Sequence, residues 1–573
     1  HDSRLTSNTV ISREDIERKQ IRTIEGALRG VAGVNISNSG GVGKSTSIFL
    51  RGTPSDHILV LIDGIRSGSA TTGSAAWQHI PVSEIESIEV IRGPKSSLYG
   101  ADAIGGVIHI HTRNASSDTA KVNPVVSVGG GTYGHYKVQA GVSGKVGKAW
   151  YNLNASHEDT EGFDATSNGN EPDRDGYENH SGSLRFGYQL TDWLSMEGHS
   201  LYSGGKTEYD GDAFSGNESD YMQLVYGGGA IIQVMDFWKL NLSGGESRDE
   251  STIYLNGEQV DDINTSRISF SALNNFTLMQ KNIVSLGYDF YDDAVESTAY
   301  SSAESRNNHA VFIQYQGEFA QNQFQLAYRS DHNEQFGQNS TWNASWGYAF
   351  DNGILVSTSY GTAFKAPSFN ELYYPFYGSV DLKPESSESY EVGISGEHTY
   401  WNWSLNGYLT NIDNLIAYDS TIFLANNINK AQIMGIEATV DGQVYDFDIQ
   451  VTYNALDPKN KETGDILLRR AQQMFRVDID RKLTELDLEN LSIGSSLNYE
   501  GRRFDSVFIN GSSERVTLNS FFTWDLRAEY QLLEQFTLQA SVKNILNTQY
   551  QTASGYNSAG VTVFFNMRYA PQL

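Results

Sequence analysis

The sequence predicts an all-β membrane protein, a transmembrane antiparallel barrel of about 22 strands (residues 119–573) with a mixed α/β region before it (residues 1–118). Three observations predict it. Apolar and polar residues alternate with period two from about residue 122 to the end of the chain. Roughly 450 residues follow the first region, and at about 20 per strand and connection they make about 22 strands. No run approaches the ~18 uninterrupted apolar residues of a helical span.

Composition bounds the choice without making it. Of 573 residues 39% are hydrophobic, with 32 Tyr, 26 Phe, 9 Trp, 55 Gly and only 10 Pro, and the mean hydropathy is −0.42. Barrel strands average out as polar because lipid-facing and lumen-facing residues alternate, and interface girdles consume aromatics. A large soluble all-β enzyme shares these counts. Cysteine is absent, which excludes thiol catalysis, zinc–cysteine sites and disulfides. The net charge of −28 argues against nucleic-acid binding, which wants a basic face. It leaves two readings, a solvated acidic surface or carboxylate-rich loops that hold cations. The chain opens at His1 on polar residues, so an exported form is expected to be already processed.

The first region reads as follows. Ser12-Arg-Glu-Asp15 resembles a capping box ahead of a short helix containing Ile16. A second helix is expected after Thr23, with Ile24, Ala27, Leu28 and Val31 on one face and Gly33 ending it. The runs Ile48–Leu50, Ile58–Ile62, Ile88–Ile91 and Val107–Ile110, separated by Gly-rich turns, read as buried strands. His109 and His111 share one face of the last and could bind metal, but buried or lumen-facing structural histidines are the favoured reading.

The second region alternates strictly. Tyr136, Val138, Ala140 and Val142 interleave with Lys137, Gln139, Gly141 and Ser143. Val311-Ile313-Tyr315, Trp524-Leu526-Ala528-Tyr530, Phe536-Leu538-Ala540-Val542 and Val563-Phe565-Met567-Tyr569 repeat the pattern. In a soluble sandwich the apolar face packs on a second sheet; in a membrane barrel it faces lipid. Long polar inserts at 159–180, 205–220, 292–308 and 502–516 suit extracellular loops.

Gly40-Gly-Val-Gly-Lys-Ser-Thr46 imitates a phosphate-binding loop. Asn38 stands where the motif's first Gly belongs, and Ser47–Arg51 continues as an extended run where a helix should start. The segment is expected to be a flexible loop, of the kind that often contacts ligands.

Several phrases carry a family likeness. Ile48-Phe-Leu-Arg-Gly52, Val60-Leu-Ile-Asp-Gly64, Ile88-Glu-Val-Ile-Arg-Gly-Pro94 and Tyr99-Gly-Ala-Asp-Ala-Ile-Gly-Gly-Val-Ile108 occur in order. Phe364-Lys-Ala-Pro-Ser-Phe-Asn-Glu-Leu-Tyr373, Leu382-Lys-Pro-Glu385, Gly435-Ile-Glu437 and Val542-Lys-Asn-Ile-Leu546 follow in the second region. Together they resemble the plug and barrel of TonB-dependent receptors of the Gram-negative outer membrane. The short barrel, Asn38-Ser-Gly-Gly41 and Leu467-Leu-Arg-Arg-Ala471 are most similar to the cobalamin (vitamin B12) transporting members. The resemblance implies a non-enzymatic importer driven by the inner-membrane ion gradient, with cobalamin or a related corrinoid as its ligand. A siderophore or haem receptor on the same fold stays open, although residues 365–381 lack the His usual in haem receptors. A soluble carbohydrate-active enzyme is the remote alternative.

The resemblance also implies sites. Substrate contacts fall on two plug loops, at Asn38, Ser39, Gly41, Ser45 and Thr46, and at Ser69, Ala70, Thr71 and Thr72, with Arg503 from a late loop. Hydroxyls and amides there can hydrogen-bond a ligand's amides, and Gly permits close approach. For Arg503 a loop or lumen cation is an equal reading. Lys44 departs from the family pattern. Asp164, Asp173, Asp175, Asp210 and Asp220 lie in two acidic stretches, and Asp173-Arg-Asp175 spaces two carboxylates to reach one ion. Ca²⁺ takes six to eight oxygens in irregular geometry; solvated acidic loops explain the same spacing, while the resemblance implies structural calcium. It further implies TonB as partner, through a segment ahead of His1, surrounding lipid and lipopolysaccharide, and leaves open a surface lipoprotein. Tyr569 followed by Ala-Pro-Gln-Leu573 departs from the family's terminal aromatic.

Overall fold

The computed structural model describes residues 5, 7–115, 122–166, 172–212, 216–279, 281–300, 304–419, 422, 424–483, 490–509 and 512–571. The expected division at 118/119 lies outside the described residues.

The N-terminal unit holds seven strands: β1 (Asn8–Ser12), β2 (Val34–Asn38), β3 (Thr46–Leu50), β4 (Ile58–Ile62), β5 (Ile65–Ser67), β6 (Ile85–Arg92) and β7 (Gly106–Thr112). Five form a mixed sheet in the order β1-β6-β7-β4-β5, and β2 pairs with β3 as a separate hairpin. The four sequence-predicted strands are all present. Helix α1 (Arg13–Arg18) starts on the expected capping box, with the Asp15 amide donating to Ser12 Oγ and Asp15 Oδ2 accepting from the Ser12 amide. Helix α2 (Ile24–Leu28) is capped by Thr23 but stops at Leu28, five residues short of the expected Gly33. The chain breaks there because Arg29 is extended and Gly30 takes a φ of 86°, where a Cβ would collide with the Arg476 side chain at 2.0 Å. Ile24, Ala27, Leu28 and Val31 are nonetheless all buried.

Among the described residues, 22 antiparallel strands close into one barrel. It begins with β8 (Asn123–Gly131), β9 (Tyr136–Val146), β10 (Ala149–Thr160), β11 (Tyr177–Thr191), β12 (Leu194–Asp212) and β13 (Gly216–Met235). The last strand, Thr562–Tyr569, returns to pair with β8, Phe565 facing Gly130. The alternation has the predicted sense: Phe186 and Phe565 are 55% and 61% exposed on the outside, while Asn154 and Asn343 are 3% and 4% exposed within. Trp193, Phe237, Phe319, Phe350, Tyr400 and Tyr445 ring the short-turn end, the position of an interfacial aromatic girdle.

Two expected loops are largely strand. Residues 205–212 and 216–220 extend β12 and β13, and the strands flanking 298–303 run to Ser297 and restart at Glu304. Their polar composition marks ladder that continues above the apolar belt, where backbone pairing still satisfies N–H and C=O groups. The 502–516 insert folds as a hairpin, Arg503–Ile509 against Ser512–Leu518.

The N-terminal unit sits in the barrel lumen, with Leu201 and Val225 of the wall joining its core. Buried charges fasten it. Arg51 Nε donates to Glu437 at 2.9 Å and its Nη1 to Glu391 at 2.8 Å, and Arg92 lies 3.3 Å from Glu437. A second cluster joins Lys365 to Asp56 at 2.8 Å and His57 Nε2 to Glu385 at 2.8 Å. Nearby, a short helix (Phe369–Tyr373) is held by a Ser368–Glu371 capping box.

Candidate functional site: the plug apex and its acidic cover

The β2–β3 hairpin reaches the long-loop end. Asn38 wires its turn: Oδ1 accepts from the Gly41 amide at 2.6 Å, and Nδ2 donates to Gly41 O at 2.9 Å and Thr46 Oγ1 at 3.0 Å. Gly40 and Gly43 have φ of 110° and 76°, and Cβ atoms there would meet Ala165 at 2.5 Å and the Tyr177 ring at 2.0 Å. Only glycine lets the tip tuck so closely beneath the 161–166 segment. Lys44 is buried, donating to Gly176 O at 3.0 Å and Val42 O at 3.3 Å. Burial pushes its ammonium down to about 8 against the pull of Asp175 and Glu208. The phosphate-loop imitation ends here, because a strand follows it and its lysine is engaged internally.

The second predicted loop follows β5. Ser69 Oγ and Thr71 Oγ1 lie 2.6 Å apart, and the carbonyls of Ala70 and Thr71 accept from the amides of Phe369 and Asn370. Ala70 packs on Val295, Tyr300 and Phe369. Ser45 and Thr72 are therefore the exposed members of the predicted set; Asn38, Ser39, Gly41 and Ser69 are half-buried, and Thr46, Ala70 and Thr71 are buried. Arg503 sits away from any exposed face. It is 0% exposed, donates to Ile36 O at 2.9 Å and pairs with Glu500. In this position it ties β2 to the wall as a lumen cation.

Of the five aspartates, Asp164, Asp175 and Asp210 converge, offering one oxygen each within 4.8 Å of the others. Ala165 N donates to Asp175 at 2.7 Å and Thr166 N to Asp210 at 3.0 Å. Asp210 Oδ1 is buried without a hydrogen-bond partner. Burial, with Asp210 and Asp173 nearby, pushes the Asp175 carboxyl up to about 6. Asp173 is exposed and outside the triad. Asp220 is exposed on β13 between the buried, lumen-facing Ser219 and Tyr221, so the alternation turns it outward. An orphaned, buried carboxylate oxygen beside two others suits a hard cation.

Sequence reasoning missed the aromatic lining. Tyr133 and Phe163 meet with centroids 5.3 Å apart beside the hairpin tip, and His79, Tyr177 and Tyr221 form a stack with Tyr221 3.5 Å from His79 and 5.9 Å from Tyr177. Asn557 donates to Asp164 O at 3.0 Å, tying the acidic segment to the last long loop. The available signal was local, since Phe163 and Tyr177 flank the acidic residues in sequence.

Comparison with known proteins places this architecture. Residues 113–545 match the family described as TonB dependent receptor-like, beta-barrel, and residues 2–107 match the TonB-dependent Receptor Plug Domain. The chain belongs to the TonB-dependent receptors. This TonB-dependent receptor is 31% identical over 566 residues to the vitamin B12 transporter BtuB of Photobacterium profundum, covering 96% of this chain and 90% of that protein. Solved structures share the fold at lower identity. The siderophore receptor PirA of Acinetobacter baumannii superposes with TM-score 0.84 at 18% identity, covering 98% of both chains. The FrpB iron transporter (F3-3 variant) of Neisseria meningitidis superposes with TM-score 0.85 at 13% identity, covering 99% of this chain and 100% of that one. The barrel is thus an outer-membrane barrel of Gram-negative type, its N-terminal unit is the plug, and its long-loop end is extracellular.

Proposed function

We propose that this receptor imports cobalamin or a related corrinoid across the outer membrane. The observation that carries the reading is the 31% identity to a vitamin B12 transporter along nearly the whole chain, against 18% or less for the iron-receptor structures named above. The ligand rests on the plug apex, around the exposed Ser45 and Thr72 and the half-buried Ser39. The cavity beneath the hairpin, about 250 Å³, is smaller than the ~300–1,000 Å³ of ordinary small-molecule sites, so recognition falls on the outward surface. Hydroxyls there suit the many amides of a corrinoid periphery.

Calcium fits the Asp164–Asp175–Asp210 cluster. Bound there it supplies positive charge that three converging carboxylates lack, with Asp210 Oδ1 as the waiting donor. The same residues fix the 161–166 segment over the hairpin, so cation binding orders the ligand's platform. TonB, engaging the periplasmic end of the plug, supplies the work that displaces it. The binding step asks for no bond-making residue, and none is assigned.

The test is cyanocobalamin titration of the detergent-solubilised receptor, with Ca²⁺ and with chelator. Saturable binding that weakens on chelation supports both parts. Ferric catecholate binding without cobalamin binding would move the receptor to the siderophore class. Cobalamin binding indifferent to chelation would remove calcium alone.

A further inference from the structure

Three potential metal ligands stand together on the plug sheet, away from the apex. Glu89 on β6 faces His109 on β7 directly in the antiparallel register. His111 follows two residues on and shares His109's face; the two rings are 4.0 Å apart. One donor atom from each of Glu89, His109 and His111 falls within 4.8 Å of the other two. His109 Nε2 is buried with no hydrogen-bond partner. A buried imidazole nitrogen left unpaired is costly, so its persistence needs a reason.

The surroundings favour a cation. Asp63 and Glu197 add negative charge near His111, opposed by Arg185, and His199 faces the same charges from the wall. Asp63 and Arg185 are already paired at 2.8 Å.

We propose that Glu89, His109 and His111 form a plug site for a divalent transition-metal cation of the Zn²⁺ class. Two imidazoles and one carboxylate are a donor set such ions prefer, and tetrahedral coordination leaves one position for water. The ligands come from both β6 and β7, so the cation ties together two strands that any unravelling of the plug sheet must part. Metal occupancy becomes a brake on plug rearrangement, independent of which ligand the apex takes.

A second cluster is the natural control. His157 and His180 face each other on the outer wall with Nδ1 atoms 3.1 Å apart, but their outer nitrogens already bond to Tyr136 and Glu178. Those rings are satisfied by a hydrogen-bond chain without metal.

The experiment is Zn²⁺ titration calorimetry on the full receptor in detergent with saturating Ca²⁺, paired with hydrogen exchange of the β6–β7 amides. The expected result is one site that His109→Gln, His111→Gln and the isosteric Glu89→Gln each weaken by about tenfold or more, that His157→Gln leaves unchanged, and that slows exchange across β6 and β7. No Zn²⁺ binding, binding lost in His157→Gln instead, or binding without change in β6–β7 exchange would each overturn the proposal. Glu89→Gln keeps the strand's shape, so it reports on the metal even where a histidine variant misfolds.

Discussion

Arg51 of the plug and Glu437 of the barrel wall, 386 residues apart in the chain, grip each other through two hydrogen bonds of 2.9 and 3.0 Å. Both are almost fully buried, and Arg92 shares the same carboxylate. Burial lowers the Arg51 guanidinium's proton affinity, yet Glu391 and Glu437 raise it well above the ordinary value. Glu437→Ala leaves buried Arg92 without its carboxylate and Arg51 with Glu391 alone, and removing one partner of a buried pair costs about 3–5 kcal/mol. The plug of that variant is expected to unfold at lower temperature than the barrel, seen as a new low-temperature calorimetric transition. Arg92→Ala added to Glu437→Ala, which removes the cation left without a carboxylate, should recover part of the loss.

His57 gives the plug a pH dependence. Burial lowers its proton affinity, but Glu385 and Asp56 raise it further, so the folded value lies above the usual 6.5, with Lys365 opposing. A proton held more tightly in the folded state stabilises it fully below about pH 6.5. That contribution fades as pH rises through the elevated folded value. Plug melting measured across this interval should show the decline, and His57→Gln should flatten it.

Asp210→Asn removes the orphaned carboxylate oxygen of the apex cluster. Calcium affinity is expected to fall by about tenfold or more, since site charge sets affinity. Asp220→Asn, on the outward side of β13, should leave it unchanged. Calcium titration followed by calorimetry separates the two.

Lys44 is placed to compete with a cation at that cluster. Its ammonium feels the charge of Asp175 from beneath the hairpin. Lys44→Met should tighten calcium binding severalfold, while a purely structural lysine would leave the affinity unmoved and lower only the melting temperature.

Leu184 is 42% exposed on the barrel's outer face. Leu184→Arg is expected to destabilise the folded barrel by up to about 2–4 kcal/mol, the midplane cost of a charge facing lipid. Urea titration of refolding into vesicles measures it. Arginine at Ser183, which points into the lumen, should not show this lipid-depth penalty.

Much of this fold was legible because its signals are local. Ser12 and Asp15 announce α1, and Val563-Phe565-Met567 announces a lipid face without reference to any other strand. The family phrases also contained the locks: Arg51, Arg92, Lys365, Glu385 and Glu437 all sit inside them. What pairs with what was not legible, since Arg51 and Glu437 meet only after the barrel closes around the plug. The same limit explains Arg503, whose partners Ile36 and Glu500 come from separate elements. It explains Asp220 as well, where one step of strand parity decides which side of the wall a carboxylate reaches. α2 ends before a left-handed Gly30 that lies against Arg476, a neighbour from far along the chain.

The seam of the barrel sets the order of its making. Thr132 and Val563 meet across it although 431 residues separate them, so the first strand waits for nearly the last residues before its free edge is covered. Ring closure over so long a span is entropically slow, and until it happens both terminal strands offer unpaired backbone to any neighbouring chain. Substitutions that weaken the Phe565–Gly130 register should therefore reveal themselves as misassembly and aggregation during biogenesis, well before they lower the melting point of barrels that have already sealed.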